Sequence, residues 1–288
     1  MSPAILFERE RKRLLSLAYG FLGSLAEAED VVQDAYVRVK QAATDSIRNP
    51  EAWLTTVVSR IAIDRLRSAQ RRRETYPGEW LPEPVLQSTS QEQDAITRSR
   101  LSIALLHLLD KLEPEQRAVF VLREVFDHSY KTIAEVVGKS EAACRQTMAR
   151  TRSALEASRP GTPTRATVPN SLVSNVINAL IAEDEQALLR LIAPEAVLIN
   201  DGGGKVPSAI NPIYGVDRIL RFFFGLRRKY GNALALRPAI VNSEPGIATE
   251  RDGRFFSAVA FAAAQGRVTA IYAISNPDKL TSRGSVAG

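Results

Sequence analysis

The chain has 288 residues, 45% of them hydrophobic and 24% charged, a globular balance that excludes wholesale disorder and leaves room for two or three domains. The apolar run from Phe255 to Gly266 is too short to cross a bilayer, and the N-terminus is charged from Glu8 onward, without a signal-peptide core. One cysteine (Cys144) and two histidines (His107, His128) leave no internal disulfide and no His-rich metal site, while the net charge of +6 permits a polyanionic partner without requiring one. A cytoplasmic, cofactor-free protein is expected.

From Leu6 to Leu22 a short helix is expected, followed by an acidic one from Leu25 to Lys40. In the second, Ala28, Val31, Val32, Ala35 and Val39 recur at helical spacing, which turns Glu29, Asp30, Gln33, Asp34 and Arg38 outward. A third helix opens with Asn49 as N-cap and Pro50 at its first position. It begins as core, through Trp53, Leu54, Val57, Val58, Ile61 and Leu66. It ends as a cationic stripe of Arg60, Arg65, Arg67, Arg71, Arg72 and Arg73 against a single Asp64. Such a stripe suits phosphate contact; a solvated helix end that favours the helix dipole would look the same. Trp53 reads as core packing.

Proline and glycine mark two linkers. The first is Tyr76–Ser90, with the apolar-acidic motif Trp80-Leu81-Pro82-Glu83-Pro84. The second is Ser158–Pro169. Between them lies a helix-turn-helix. Glu113-Pro114-Glu115 opens one helix, Tyr130–Val137 forms the next, Gly138 makes the turn and Ser140 caps the last. Along that last helix Cys144, Met148, Thr151 and Leu155 form one buried stripe, with Cys144 a small hydrophobe and not a redox sensor. Ala142, Gln146, Ala149 and Ser153 fall opposite, flanked by Arg145 and Arg150. Small residues with Gln and Arg suit a base-reading helix, although an ordinary helical hairpin shares the pattern.

Ala28–Val39, Asn49–Ser68 and Leu112–Leu155, in that order, resemble the extracytoplasmic-function sigma factors, bacterial initiation subunits with two DNA-binding helical domains on a linker. The resemblance covers about residues 5–158. It implies core-polymerase binding by Asp30, Gln33, Asp34 and Arg38. Minus-ten recognition and strand opening are implied for Arg60, Arg65, Arg67, Arg71 and Arg72, with Asp64 among them. Minus-thirty-five recognition falls to the Ser140–Arg152 helix, with Ser140, Glu141, Arg145, Gln146 and Arg150. The acidic helix face fits a protein partner independently, because like charge near phosphate is repulsive.

In the last third, two helices are expected within Asn170–Ala193, a strand at Ala196–Asn200 and a helix at Gly215–Tyr230. An antiparallel meander from Ala233 to Ile274 would turn at Asp252-Gly253 and Gln265-Gly266. This looks like the SnoaL-like α+β cone. One group of extracytoplasmic-function sigma factors carries it, marked by WLPEP in the linker, DGGGK (Asp201, Gly202, Gly203, Gly204, Lys205) and NPDKL (Asn276, Pro277, Asp278, Lys279, Leu280), all present here. The expected domains are 1–75, polymerase and minus-ten binding; 98–158, helix-turn-helix; and 170–288, α+β cone, joined by linkers 76–97 and 159–169.

The cone fold also hosts enzymes, but this third lacks histidine and cysteine, and no inward acid pair suggests acid–base chemistry. A regulatory, non-enzymatic domain is expected, docking on WLPEP, with Trp80 dominating the contact and Lys205 meeting Glu83. A cavity that binds a small apolar ligand remains open, and no separate anti-sigma factor is indicated. The alternative is a helix-turn-helix regulator with a ligand-sensing or weakly enzymatic cone, which leaves the acidic helix and the Asn49–Arg73 stretch without purpose.

Overall fold

The computed structural model describes residues 3–41, 49–86, 101–158 and 167–280. Gln87–Ser90 of the first expected linker, and Pro160, Gly161 and Pro163 of the second, lie outside them.

Helices α1 (Pro3–Leu22), α2 (Leu25–Gln41) and α3 (Pro50–Arg73) form the first bundle. The Asn49 side chain accepts from Ala52 N, as expected of an N-cap followed by proline. Ala28, Val31, Val32, Ala35 and Val39 are buried. The second helical domain comprises α4 (Ile103–Leu109), α5 (Pro114–Phe120), which continues as a π-turn over Val121–Val125, α6 (Tyr130–Val137) and α7 (Glu141–Ser158). Gly138 adopts the left-handed conformation that ends α6, and Ser140 Oγ accepts from Ala143 N. Cys144, Met148, Thr151 and Leu155 are all buried. Helix α4 and the π-turn were not expected from the sequence.

The two helical domains share a single apolar core, in which Val119, Val121 and Leu122 join Leu14, Leu17 and Val58. They pack so closely that a Cβ on Gly20 would lie 3.2 Å from Val121 Cγ1.

The C-terminal domain contains α8 (Asn170–Ile181), α9 (Glu185–Leu191), β1 (Ile192–Asp201), β2 (Ile213–Tyr214), α10 (Val216–Tyr230), β3 (Leu234–Val241), β4 (Glu244–Arg251), β5 (Arg254–Ala264) and β6 (Arg267–Ile274). Its sheet runs β2-β1-β6-β5-β4-β3, and only the β1–β6 pair is parallel. The meander turns at Asp252-Gly253 and Gln265-Gly266 as expected, with positive φ at each. A third turn of the same kind, Asn242-Ser243, joins β3 to β4. The short β2 was not expected.

One sheet face packs on α8 and α10. The other, lined by small residues such as Ala258, Ala260, Ala262 and Ala270, packs on Leu81 of the linker and Ile103 of α4. Small side chains allow that approach, and burial on both faces explains why β5 reads as a continuous apolar run.

Candidate functional site

The segment after α3 threads between the first bundle and the sheet, and its motif residues are gripped from both sides. At the centre is Asp201, at the end of β1 and almost wholly buried. Its carboxylate accepts from Tyr76 Oη (2.6 Å), Leu81 N (2.8 Å), Lys279 Nζ (2.6 Å) and Gly203 N (3.0 Å). Lys279 also donates to Leu81 O at 2.5 Å, so Leu81 is held at both its backbone groups. Burial pulls the Lys279 ammonium down to about 8, against the opposing pull of Asp201. Asn276 Nδ2 donates to Tyr76 Oη at 2.8 Å. Burial, then Asp201, raises the Tyr76 phenol above its ordinary value.

The glycine run is required by this packing. Gly203 has φ +62°, and a Cβ there would run into the Asn276 amide; one on Gly204 would lie 2.9 Å from Pro77 Cγ. DGGGK, NPDKL and the linker thus form one site. Lys205 does not meet Glu83: it pairs with Asp278 at 2.5 Å. Glu83 instead turns toward the first bundle, accepting from Leu25 N (2.8 Å) and Ser24 Oγ (3.2 Å) at the start of α2. The reason is position, since a carboxylate at a helix N-terminus meets otherwise unpaired N–H groups. Its burial raises the carboxyl's pKa while these bonds hold it down.

Trp80 is partly buried, with Arg73 Cζ 3.4 Å above its ring and Lys279 Nζ 4.2 Å from it. Leu81 is the linker side chain that disappears into the sheet's apolar face. Pro82 and Pro84 are buried beside it, whereas Pro277 is exposed and Leu280 packs at the edge of that cluster.

Asn242 is a site residue that sequence reasoning missed. This fully buried residue of the β3–β4 turn donates to Tyr19 Oη (2.6 Å) and Leu101 O (3.0 Å) and accepts from Val85 N (2.8 Å). It therefore joins the first bundle, the linker and the second helical domain to the sheet. The signal available was the Asn-Ser pair between two strands, which marks a turn but no partner.

Between the helical domains, Asp110 meets two arginines, Arg73 of α3 and Arg117 of α5. Arg117 is fully buried and donates to Gly20 O, and burial lowers its guanidinium to about 10. Arg73, expected in the phosphate-facing stripe, is therefore an internal residue here, also donating to Leu22 O at 2.7 Å.

The other stripe residues remain at the surface, several with protein partners. Arg60 donates to Glu135 O (2.7 Å) and Val136 O (3.4 Å), the last carbonyls of α6. Arg65 bridges Asp30 (3.0 Å) and Asp34 (2.7 Å), Arg67 pairs with Asp64 at 3.0 Å, and Arg72 pairs with Glu27. Arg71 is exposed, as are Gln33 and Arg38 on α2. On α7, Ser140, Arg145, Gln146 and Arg150 are exposed, with Arg145 paired to Glu141 at 2.9 Å. Trp53 is partly buried against the core.

Two helical domains that present an acidic helix, an arginine stripe and an exposed helix-turn-helix are the arrangement expected of a transcription initiation subunit, and the comparisons with known proteins give that class. Residues 6–72 match Sigma-70 region 2 and residues 102–155 match Sigma-70, region 4. The chain belongs to the extracytoplasmic-function (ECF) RNA polymerase sigma factors, which bind core polymerase and promoter DNA and direct initiation. It is 40% identical over 290 residues to the ECF RNA polymerase sigma factor SigJ of Mycobacterium tuberculosis (strain ATCC 25618 / H37Rv), covering 96% of this chain and 92% of that one. It is 28% identical over 274 residues to the probable ECF RNA polymerase sigma factor SigI of the same strain, covering 94% and 92%. The crystal structure of M. tuberculosis SigJ superposes with a TM-score of 0.78 at 36% identity, covering 96% of this chain and 97% of that one. The α+β C-terminal domain is thus part of the matched architecture. The solved structures also include the sigma factor RpoE with the anti-sigma factor NepR from Bartonella quintana, at TM-score 0.37, 21% identity, 50% of this chain and 88% of that one. The expectation that no separate anti-sigma factor is indicated gains no support. Among the described residues, no helix is long and apolar enough to cross a membrane.

Proposed function

We propose that this sigma factor carries its own regulator: the C-terminal domain clamps the linker and so holds the two DNA-reading domains in a closed arrangement that must open for promoter recognition. The observation that carries this reading is the buried Asp201 carboxylate, closed around Leu81 N–H, Tyr76 and Lys279. An extended linker offers no such grip without a partner for its backbone.

In the closed arrangement Arg60 serves α6 carbonyls and Arg65 serves the α2 carboxylates. Promoter binding by Arg60, Arg65, Arg67, Arg71 and Arg72 would exchange such partners for phosphates, and core binding by Asp30, Gln33, Asp34 and Arg38 would release Arg65. Base readout then falls to α7 through Arg145, Gln146 and Arg150, supported by Ser140 and Glu141. We read the C-terminal domain as regulatory and not catalytic.

The test is run-off transcription by reconstituted holoenzyme. Asp201→Ala and Trp80→Ala should each raise initiation from a cognate promoter, with intact co-elution on core polymerase. Unchanged or lowered initiation by both variants would overturn the clamp, and absence of co-elution by the unmodified chain would favour a helix-turn-helix regulator.

A further inference from the structure

Inside the C-terminal domain, helices α8 and α10 and the concave sheet face enclose a cavity of about 120 Å³. Its wall is largely apolar, with Leu180, Phe223, Ile247 and Phe261 among the lining residues. Two of its hydroxyls, on Thr249 and Ser257, lie 2.6 Å apart and satisfy each other. Arg227 at the wall is engaged by Gly231 O at 3.1 Å and by Glu183.

Asn200 is the exception. It lines the cavity, is 7% exposed, and its side-chain amide nitrogen has no hydrogen-bond partner. A buried donor left unpaired is costly, so the position calls for an acceptor that the protein itself does not supply. Across the sheet Asn200 pairs with Ala273, which also lines the cavity and whose short side chain leaves space beside the amide.

We propose that this cavity is a binding site for a neutral, apolar molecule of about one aromatic ring, carrying a carbonyl-type oxygen that accepts from the Asn200 amide. Size argues for one ring, since an apolar protein cavity of about 150 Å³ takes up benzene. Chemistry argues for an acceptor on a mainly apolar body, because the Asn200 amide lacks a partner while Thr249, Ser257 and Arg227 are internally paired. The site lies one residue along β1 from Asp201, whose side chain points to the opposite sheet face, and Asn200 also borders the cleft beneath Pro77 and Gly78 of the linker.

The test uses the full chain and fluorine NMR titration of two probes, 4-fluoroacetophenone and 4-fluoro-α-methylstyrene, which differ only in C=O against C=CH₂. Both should bind saturably, the ketone about fivefold more tightly, the effect of one hydrogen bond. Asn200→Leu should bring the ketone to the level of the styrene, and Ala273→Phe, which fills the cavity, should abolish both. Asn200→Ala, which removes the donor without adding another polar group, should also erase the preference and stands in if the leucine variant does not fold. No saturable binding, equal affinity of the two probes for the unmodified chain, or a ketone preference that survives loss of the amide would each overturn the proposal. So would binding that persists in folded Ala273→Phe.

Discussion

Asn242 combines two properties that few side chains share. Its amide donates and accepts at once, and its backbone accepts positive φ (here 49°) with little penalty. Alanine at this position would leave Leu101 O and Val85 N buried without their bonds, at a cost of about 1–3 kcal/mol for each orphaned group. Asn242→Ala should therefore lower the urea midpoint of unfolding markedly, whereas Asn178→Ala, at an exposed helical position, should leave it nearly unchanged. Glu244, two residues on, provides a pH test. Burial pushes its carboxyl up to about 7 from an ordinary value of 4.5. A folded pKa raised above the unfolded one contributes stability that is complete below about 4.5 and is lost as pH rises through about 7. The melting temperature should fall across that window, and Glu244→Gln should flatten this part of the profile.

At the scale of elements, α7 and the end of α3 should separate by the way each meets DNA. Arg145→Ala or Gln146→Ala should relax discrimination at the upstream promoter element by about 1–3 kcal/mol for each base that the side chain reads. Arg71→Ala or Arg72→Ala should weaken holoenzyme binding with little sequence bias and reduce its salt slope. Gel-shift titrations over promoter variants distinguish these outcomes, and equal effects across all variants would count against both assignments. On α2, Asp34→Arg should abolish co-elution with core polymerase. Its effect on the fold should be small, because the Arg65 pair it breaks is solvent-exposed and such pairs contribute only about 0–1 kcal/mol.

At the scale of the whole molecule, the domains are held by the polar centres at Asp110, Asp201 and Asn242 together with the apolar core that the helical domains share and the apolar layer against the sheet. Asp110 draws α3 and α5 together through Arg73 and Arg117, and Asp201 draws the linker to the sheet. Leu81 and Ile103 complete the apolar layer. Removing one partner from a buried charged cluster leaves the others uncompensated, which costs more than an intact cluster contributes. Ending the chain after Ser275 removes Lys279 and Asn276 from the Asp201 centre. Small-angle scattering should then show a larger radius of gyration than the full chain, and an unchanged value would mean that the remaining polar centres and apolar contacts suffice to hold the domains.

Apart from α4 and the π-turn, the helices could be read from local signals: the Asn49-Pro50 cap, the left-handed Gly138, the apolar spacing on α2 and α7, and the turn pairs between strands. Each depends on residues within about one turn of one another, where backbone sterics and local hydrogen bonds decide the outcome. The motifs WLPEP, DGGGK and NPDKL were recognisable as strings, and docking of the C-terminal domain on WLPEP was expected. Which atoms meet was not: Lys205 reaches Asp278 and not Glu83, Leu81 and not Trp80 is the fully buried anchor, and Arg73 turns inward from a stripe that otherwise stays at the surface. Asp110 and Asn200 carry no local mark at all, and Asn242 carries only that of a turn. Asn242 and Asp110 meet groups of other domains, and Asn200 faces a cavity formed only when α8, α10 and the sheet pack, so tertiary packing gave each buried amide or carboxylate its surroundings. Burial makes such groups decisive, because a polar atom removed from water must find a partner wherever the fold puts it.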